Sequence, residues 1–144
     1  AIDVIENTGI KLDLVVGMQA TSPIRHSKDL DNAIQQLNLS RYKSLMAGNE
    51  IEDFHIWRRN RNGDAESINY DYRNRQRRQN IEKKYLENGS FYIFQPDLLK
   101  LHNNRLVPDI DIYVMDKYKM FQIDEPQDIF LCEALMHYFH ISES

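Results

Sequence analysis

A chain of 144 residues suffices for one domain with a single hydrophobic core, and its net charge of −4 excludes a uniformly basic nucleic-acid binder. Cys132 is the one cysteine, which excludes a disulfide within the chain and fits a reducing compartment. No apolar run approaches the length of a membrane span and no signal-peptide pattern opens the sequence, so the expectation is a cytoplasmic protein without membrane contact.

Residues Ala1–Gly9 carry apolar positions at helical spacing and end in glycine, which reads as the last turns of a helix. The numbering is therefore expected to begin partway through a longer protein. Leu12–Met18 is a short apolar, β-branched run that predicts a buried strand. It breaks into the small polar turn Gln19-Ala20-Thr21-Ser22-Pro23, where Pro23 biases Ser22 away from helix. A helix follows from Ser27 or Lys28 to about Leu39, with Leu30, Ala33, Ile34 and Leu37 as its apolar stripe and Ser27 or Asp29 as candidate caps. Strand, polar turn and helix together place Gln19, Thr21 and Ser22 where an open α/β sheet holds its ligand, at the carboxyl end of a strand.

Tyr42–Ala47 reads as a second strand. Phe54–Arg59 alternates like a strand, Asn62-Gly63 signals a tight turn, and Glu66–Tyr70 can return antiparallel, which predicts a hairpin added to an α/β core. Asp71–Lys84 is too charged for a core. Asn88-Gly89 then signals a turn ahead of the strand Ser90–Phe94, and Pro96 opens a short helical turn through Leu101. Ile110–Met115 and Phe121–Asp124 read as further strands. A closing helix spans about Pro126 to Phe139, with Ile129, Leu131, Cys132, Leu135, Met136 and Phe139 as a wide apolar face.

Two constellations carry chemistry. Arg58, Arg59, Arg61, Arg73, Arg75, Arg77, Arg78, Lys83 and Lys84 crowd the middle third, and the acidic excess lies on either side. An arginine fork pairs with carboxylate or phosphate in bidentate fashion, so the run Arg73–Gln79 suits an anionic small molecule. The solvated basic face or subunit contact that such a run most often forms stands ahead of this reading, and RNA binding, through the interleaved Tyr70, Tyr72 and Tyr85, stands behind it. Asp124, ahead of a helix whose first turn holds Pro126, is either a helix N-cap or a magnesium ligand, and Asp128 suits a capping or dipole role. His26, His55, His102, His137 and His140 show no metal-ligand spacing, and Cys132 falls on the buried helix face.

In order along the chain, these stretches resemble the acylneuraminate cytidylyltransferases, or CMP-sialic acid synthetases. Met18-Gln19-Ala20-Thr21-Ser22-Pro23-Ile24-Arg25 is similar to their Leu-Gln-Pro-Thr-Ser-Pro-Leu-Arg signature. Arg77-Arg78-Gln79 with Asn88-Gly89-Ser90-Phe91-Tyr92-Ile93 resembles Arg-Arg-Gln…Asn-Gly-Ala-Ile-Tyr-Ile, and Ile123-Asp124-Glu125-Pro126-Gln127-Asp128 resembles Asp-Ile-Asp-Thr-Pro-Glu-Asp. The resemblance implies a Rossmann-like nucleotidyltransferase α/β sandwich of three layers, here partial. Residues 1–53 and 88–144 would belong to it, and 54–87 would form a hairpin extension for dimerisation and sugar binding. The implied reaction transfers CMP from CTP to the anomeric hydroxyl of a nonulosonic acid, in a homodimer that uses Mg2+ and binds neither nucleic acid nor membrane.

Carried over residue by residue, the resemblance gives Gln19 a sugar contact and Arg78 the sugar carboxylate, with His55 near a second basic position for which Arg58 competes. Thr21 and Ser22 stand in the signature turn, Asn88 and Gly89 shape the adjoining turn, Tyr92 lines the sugar pocket and Asp124 binds the metal. Three departures stand out: Gln122 replaces a first metal aspartate, Leu86 an arginine, and Ala20 the first proline of the signature. The family's Gly-rich nucleotide loop is missing from these residues, so the chain alone is expected to be an inactive carboxy-terminal fragment. The alternatives from other classes are a polyanion- or RNA-binding module and a dimerisation unit without catalysis.

Overall fold

The computed structural model describes residues 1–51, 55–77 and 82–141. They divide into two compact units, Ala1–Asn49 with Leu86–Ser144, and Glu50–Tyr85. Among the described residues no helix is long and apolar enough to cross a membrane.

The larger unit is built on a four-stranded sheet in the order β1-β5-β2-β6, formed by Val15–Met18, Lys84–Phe94, Ser44–Ile51 and Ile110–Met115 respectively. β1 runs antiparallel to β5, with Val15 opposite Phe94 and Met18 opposite Phe91, whereas β2 and β6 are parallel, with Ser44 opposite Ile110. The architecture is thus α/β with a mixed sheet, compatible with a nucleotidyltransferase-like fold. A short helix α1 (Ile2–Glu6) opens the chain and ends near Gly9, whose φ of +86° suits glycine.

Helix α2 (Ser27–Leu39) matches its sequence pattern, because Ala33 and Leu37 on the predicted stripe seal against Leu45, Ala47, Phe91, Ile93 and Met115. Its N-cap is His26 rather than Ser27 or Asp29, and the Asp29 carboxylate accepts the His26 N–H at 2.8 Å. Other bounds differ from expectation. β1 begins at Val15, which pairs with Phe94 where β5 ends, and β2 begins at Ser44, whose hydroxyl donates to the Val107 carbonyl. Asn88-Gly89 is no turn between elements: β5 runs unbroken through it for 11 residues, with Gly89 at φ +67° absorbing a local kink. Residues 121–124 carry no strand, and lead instead from a 3₁₀ turn (Lys117–Met120) into α4 (Pro126–Tyr138).

Between β5 and β6 lies α3 (Pro96–His102), closed by Asn103 in the left-handed region. Helix α4 seats Cys132 with Ile24 and Ile141, helped by Tyr118, Ile123, Leu135, Met136 and Phe139. Its expected apolar face is only partly used: Ile129 and Leu131 are exposed, as is Phe130 at 74%.

The smaller unit holds the two-stranded β3 (Trp57–Arg59) and β4 (Ala65–Ser67), paired antiparallel with Arg58 opposite Glu66. The turn uses Gly63 at φ +88°, and Asn60 Oδ1 accepts the N–H groups of Asn62 and Asp64. The strands are shorter than the sequence pattern, although the Ile68 N–H still donates to the Ile56 carbonyl at 2.9 Å just beyond them. Phe54, where the pattern begins, lies outside the described residues.

Candidate functional site

Because β5 runs antiparallel to β1, the residues leaving β1 meet the first half of β5 rather than its end. The Gln19 N–H extends the ladder by one step, donating to the Ser90 carbonyl at 3.4 Å. A Cβ at Gly89 would overlap Gln19 Oε1 and stand 3.3 Å from Ser22 Oγ, so the bare backbone of glycine is what admits both side chains. Ser22 is 1% exposed, and its hydroxyl donates to the Asn88 carbonyl at 3.1 Å. The two stretches singled out on either side of the chain's middle therefore touch at Gln19–Gly89 and Ser22–Asn88.

Asn88 is fully buried and makes the contacts a buried amide requires. Its Nδ2 donates to Asn49 Oδ1 at 2.8 Å and to Met115 Sδ at 3.3 Å, and its Oδ1 accepts the Ser90 N–H at 3.0 Å. Asn49 Nδ2 in turn donates to the carbonyls of Met115 (3.1 Å) and Asp116 (2.7 Å). One polar network thus links the turn after β1 to β5 and to the ends of β2 and β6. In a low-dielectric interior such a network fixes geometry, since each broken link strands a polar group. Ser90 Oγ is buried and has no protein partner among the described residues.

Arg25 braces the turn from outside. Its Nη1 donates to the Ser22 carbonyl at 2.5 Å, with longer contacts of 3.4 Å to the carbonyls of Gln19 and Ser90. Burial draws this guanidinium below its ordinary value. Thr21 is exposed, and its carbonyl accepts the Ile123 N–H at 2.7 Å. That bond brings the third singled-out stretch beside the turn.

Asp124 is exposed, and its carboxylate has no hydrogen-bond or ion-pair partner among the described residues. It is not the helix N-cap. Glu125 occupies that position, and Asp128 Oδ2 accepts the N–H groups of Asp124 (3.0 Å) and Glu125 (2.8 Å). Asp128 is thus committed to capping, whereas the Asp124 carboxylate is open to solvent. Among the described residues no three His, Cys, Asp or Glu side chains gather to hold a metal ion. A single carboxylate still suits Mg2+, which takes one or two carboxylates and completes its shell with water and substrate phosphate. The donor chemistry fits, with Gln122 contributing no second charge.

Tyr92 is 2% exposed, its hydroxyl donates to Glu87, and the Arg105 guanidinium lies 3.6 Å over its ring. Burial, then the Glu87 carboxylate, push this phenol above its ordinary value. In the smaller unit, His55 stacks on Tyr70 with ring centroids 3.9 Å apart, and its buried Nε2 has no partner among the described residues. Trp57 meets Tyr70 edge-on and lies tilted against Tyr72. Arg58, the competitor to His55, pairs with Glu66 at 3.0 Å across the hairpin. Arg78 lies outside the described residues.

Sequence reasoning missed Arg25, Asn49, Glu87, Ser90 and Arg105. Arg25 closes the signature stretch and Asn49 is a polar residue just after the apolar run Leu45–Ala47, two signals that were present. The partners of Glu87 and Arg105 are set by packing and leave no local trace.

No family model matches the chain. Over 92 residues, 62% of this chain, it is 30% identical to N-acylneuraminate cytidylyltransferase A of Danio rerio. That match covers 21% of the zebrafish protein, so the chain spans about a fifth of the relative's length. The likeness to the cytidylyltransferases is therefore distant and partial.

Proposed function

We propose that this chain is the acid-sugar-binding part of a cytidylyltransferase that joins CMP, taken from CTP, to the anomeric hydroxyl of a nonulosonic acid. One observation carries the reading. Three stretches separated by tens of residues, each similar to a cytidylyltransferase motif, meet at the end of β1 through Gln19–Gly89, Ser22–Asn88 and Thr21–Ile123. The distant relative points the same way.

In this mechanism the sugar's hydroxyl gives up its proton to water and its oxygen bonds to the α-phosphorus of CTP as the bond to pyrophosphate breaks. Gln19 donates its amide hydrogens to sugar hydroxyls, its side chain held against Gly89. Thr21 and Ser22 form the wall of the turn, braced by Arg25. Asn88 keeps β5 in register beneath them, and Tyr92 closes the apolar side. Arg78, with His55 as a second basic group, pairs with the sugar carboxylate. Asp124 would hold Mg2+, which supplies charge neutralisation at the phosphate oxygens. The segment 54–87 serves as the dimerisation extension, consistent with the exposure of Ile56, Trp57, Ile68 and Tyr72.

The test uses the full-length protein, with CTP, Mg2+ and a nonulosonic acid, and reads pyrophosphate release. Asp124→Ala is expected to lower turnover about 100-fold or more with the fold intact. Arg78→Ala is expected chiefly to raise the sugar KM, by about tenfold or more. Wild-type kinetics in both variants would overturn the site. Oligonucleotide binding that weakens steeply with salt, in a protein without this activity, would favour the polyanion reading instead.

A further inference from the structure

Two lengths of chain flank the candidate site on one side: 21–29, from the turn into α2, and 119–123, from the 3₁₀ turn to the loop before α4. They are fastened at both ends. At one end the Ile123 N–H donates to the Thr21 carbonyl at 2.7 Å. At the other, Lys119 Nζ lies 2.9 Å from both carboxylate oxygens of Asp29 and 3.1 Å from Asp116 Oδ2. Lys119 is 4% exposed and Asp29 7% exposed, so this is a buried ion pair between residues 90 apart in the chain. Between the fastenings sits Ile24, 1% exposed, in the cluster with Ile123 and Tyr118. The Tyr118 ring stacks on Phe139 at 3.6 Å, and its hydroxyl reaches His26 Nε2 at 3.4 Å.

A buried ion pair is a poor device for stability alone, because well-packed apolar side chains of similar volume often do as well or better. What it adds is direction. A carboxylate gripped through both oxygens, which also caps the His26 N–H, fixes the start of α2 against the 3₁₀ turn in one register. We propose that Asp29 and Lys119 are positioning residues, a far clasp that holds Thr21 and Ile123 at bonding distance and so sets where Asp124 stands relative to Gln19 and Ser22. The role of Asp124 rests on the function proposed above, whereas the clasp itself does not.

The experiment follows amide exchange in the full chain, in wild type and in Lys119→Met. The Ile123 amide is expected to gain at least about tenfold in exchange rate beyond any acceleration of the β5 amides from Phe91 to Phe94, with Lys119→Arg restoring much of the protection. Should Lys119→Met fail to fold, Asp29→Asn removes the charge yet keeps an acceptor for the His26 N–H, and carries the same expectation. An unchanged Ile123 rate, or equal acceleration at Ile123 and in β5, overturns the clasp. An inactive full-length protein with a selectively accelerated Ile123 would retire the enzyme reading and leave the clasp standing.

Discussion

At the end of β1, Asn88 and Asn49 exchange a hydrogen bond with no solvent contact, whereas in the β3–β4 hairpin Arg58 and Glu66 face each other in water. Both pairs join polar groups at close range. They differ in what replaces a lost partner. Water takes over at once on the hairpin, so its pairing is shaped by exposed side chains and tolerates change. Nothing takes over at the junction, so every amide there has a fixed address. A surface that meets another molecule can be built the first way, and a site needing defined geometry is built the second way.

The contrast can be broken or sharpened by substitution. The largest effect is expected at Phe91, which lies without exposure in the core beneath the junction. Phe91→Ala should cost about 3–5 kcal/mol in urea unfolding. Lys119 comes next, through pH. Burial alone would lower its pKa, but Asp29 and Asp116 outweigh that and hold it above the ordinary 10.5. The stabilisation is thus complete below pH 10.5 and is lost as pH rises through the higher folded value. Lys119→Met should erase this alkaline loss in a series of thermal melts.

A smaller effect is expected at Gly89. Gly89→Ala forces a Cβ into left-handed backbone and against Gln19, for about 1–2 kcal/mol and a displaced Gln19 side chain visible in its amide resonances. Smallest of all is Arg58→Ala, which should leave the unfolding midpoint unchanged at any salt concentration, since the pair with Glu66 is solvated. A measurable loss there would show that the hairpin pair is shielded.

Elements with a strong local pattern were legible from residues alone. The span of α2 follows from Leu30, Ala33, Ile34 and Leu37, and β6 from its apolar run. β5 was half legible: Lys84–Glu87 are exposed and mix charged with apolar side chains, and the Asn88-Gly89 pair carries the same signature whether the chain turns or merely kinks. The candidate site was legible as three separate stretches, while the bonds that join them were not. Asn88 to Asn49, Ser22 to Asn88 and Lys119 to Asp29 all span dozens of residues, and no spacing rule encodes such pairings. Helix α4 marks the opposite failure, since an apolar side chain such as Ile129 states a preference and not a location.

Cys132, 2% exposed beside Ile24 and Ile141, offers a way to time these events. Burial raises its thiol pKa, so a thiol-directed dye reacts only after α4 lifts away and the sulfur ionises. With no other thiol in the sequence, the colour change from unaltered protein counts those openings one site at a time, without an introduced label.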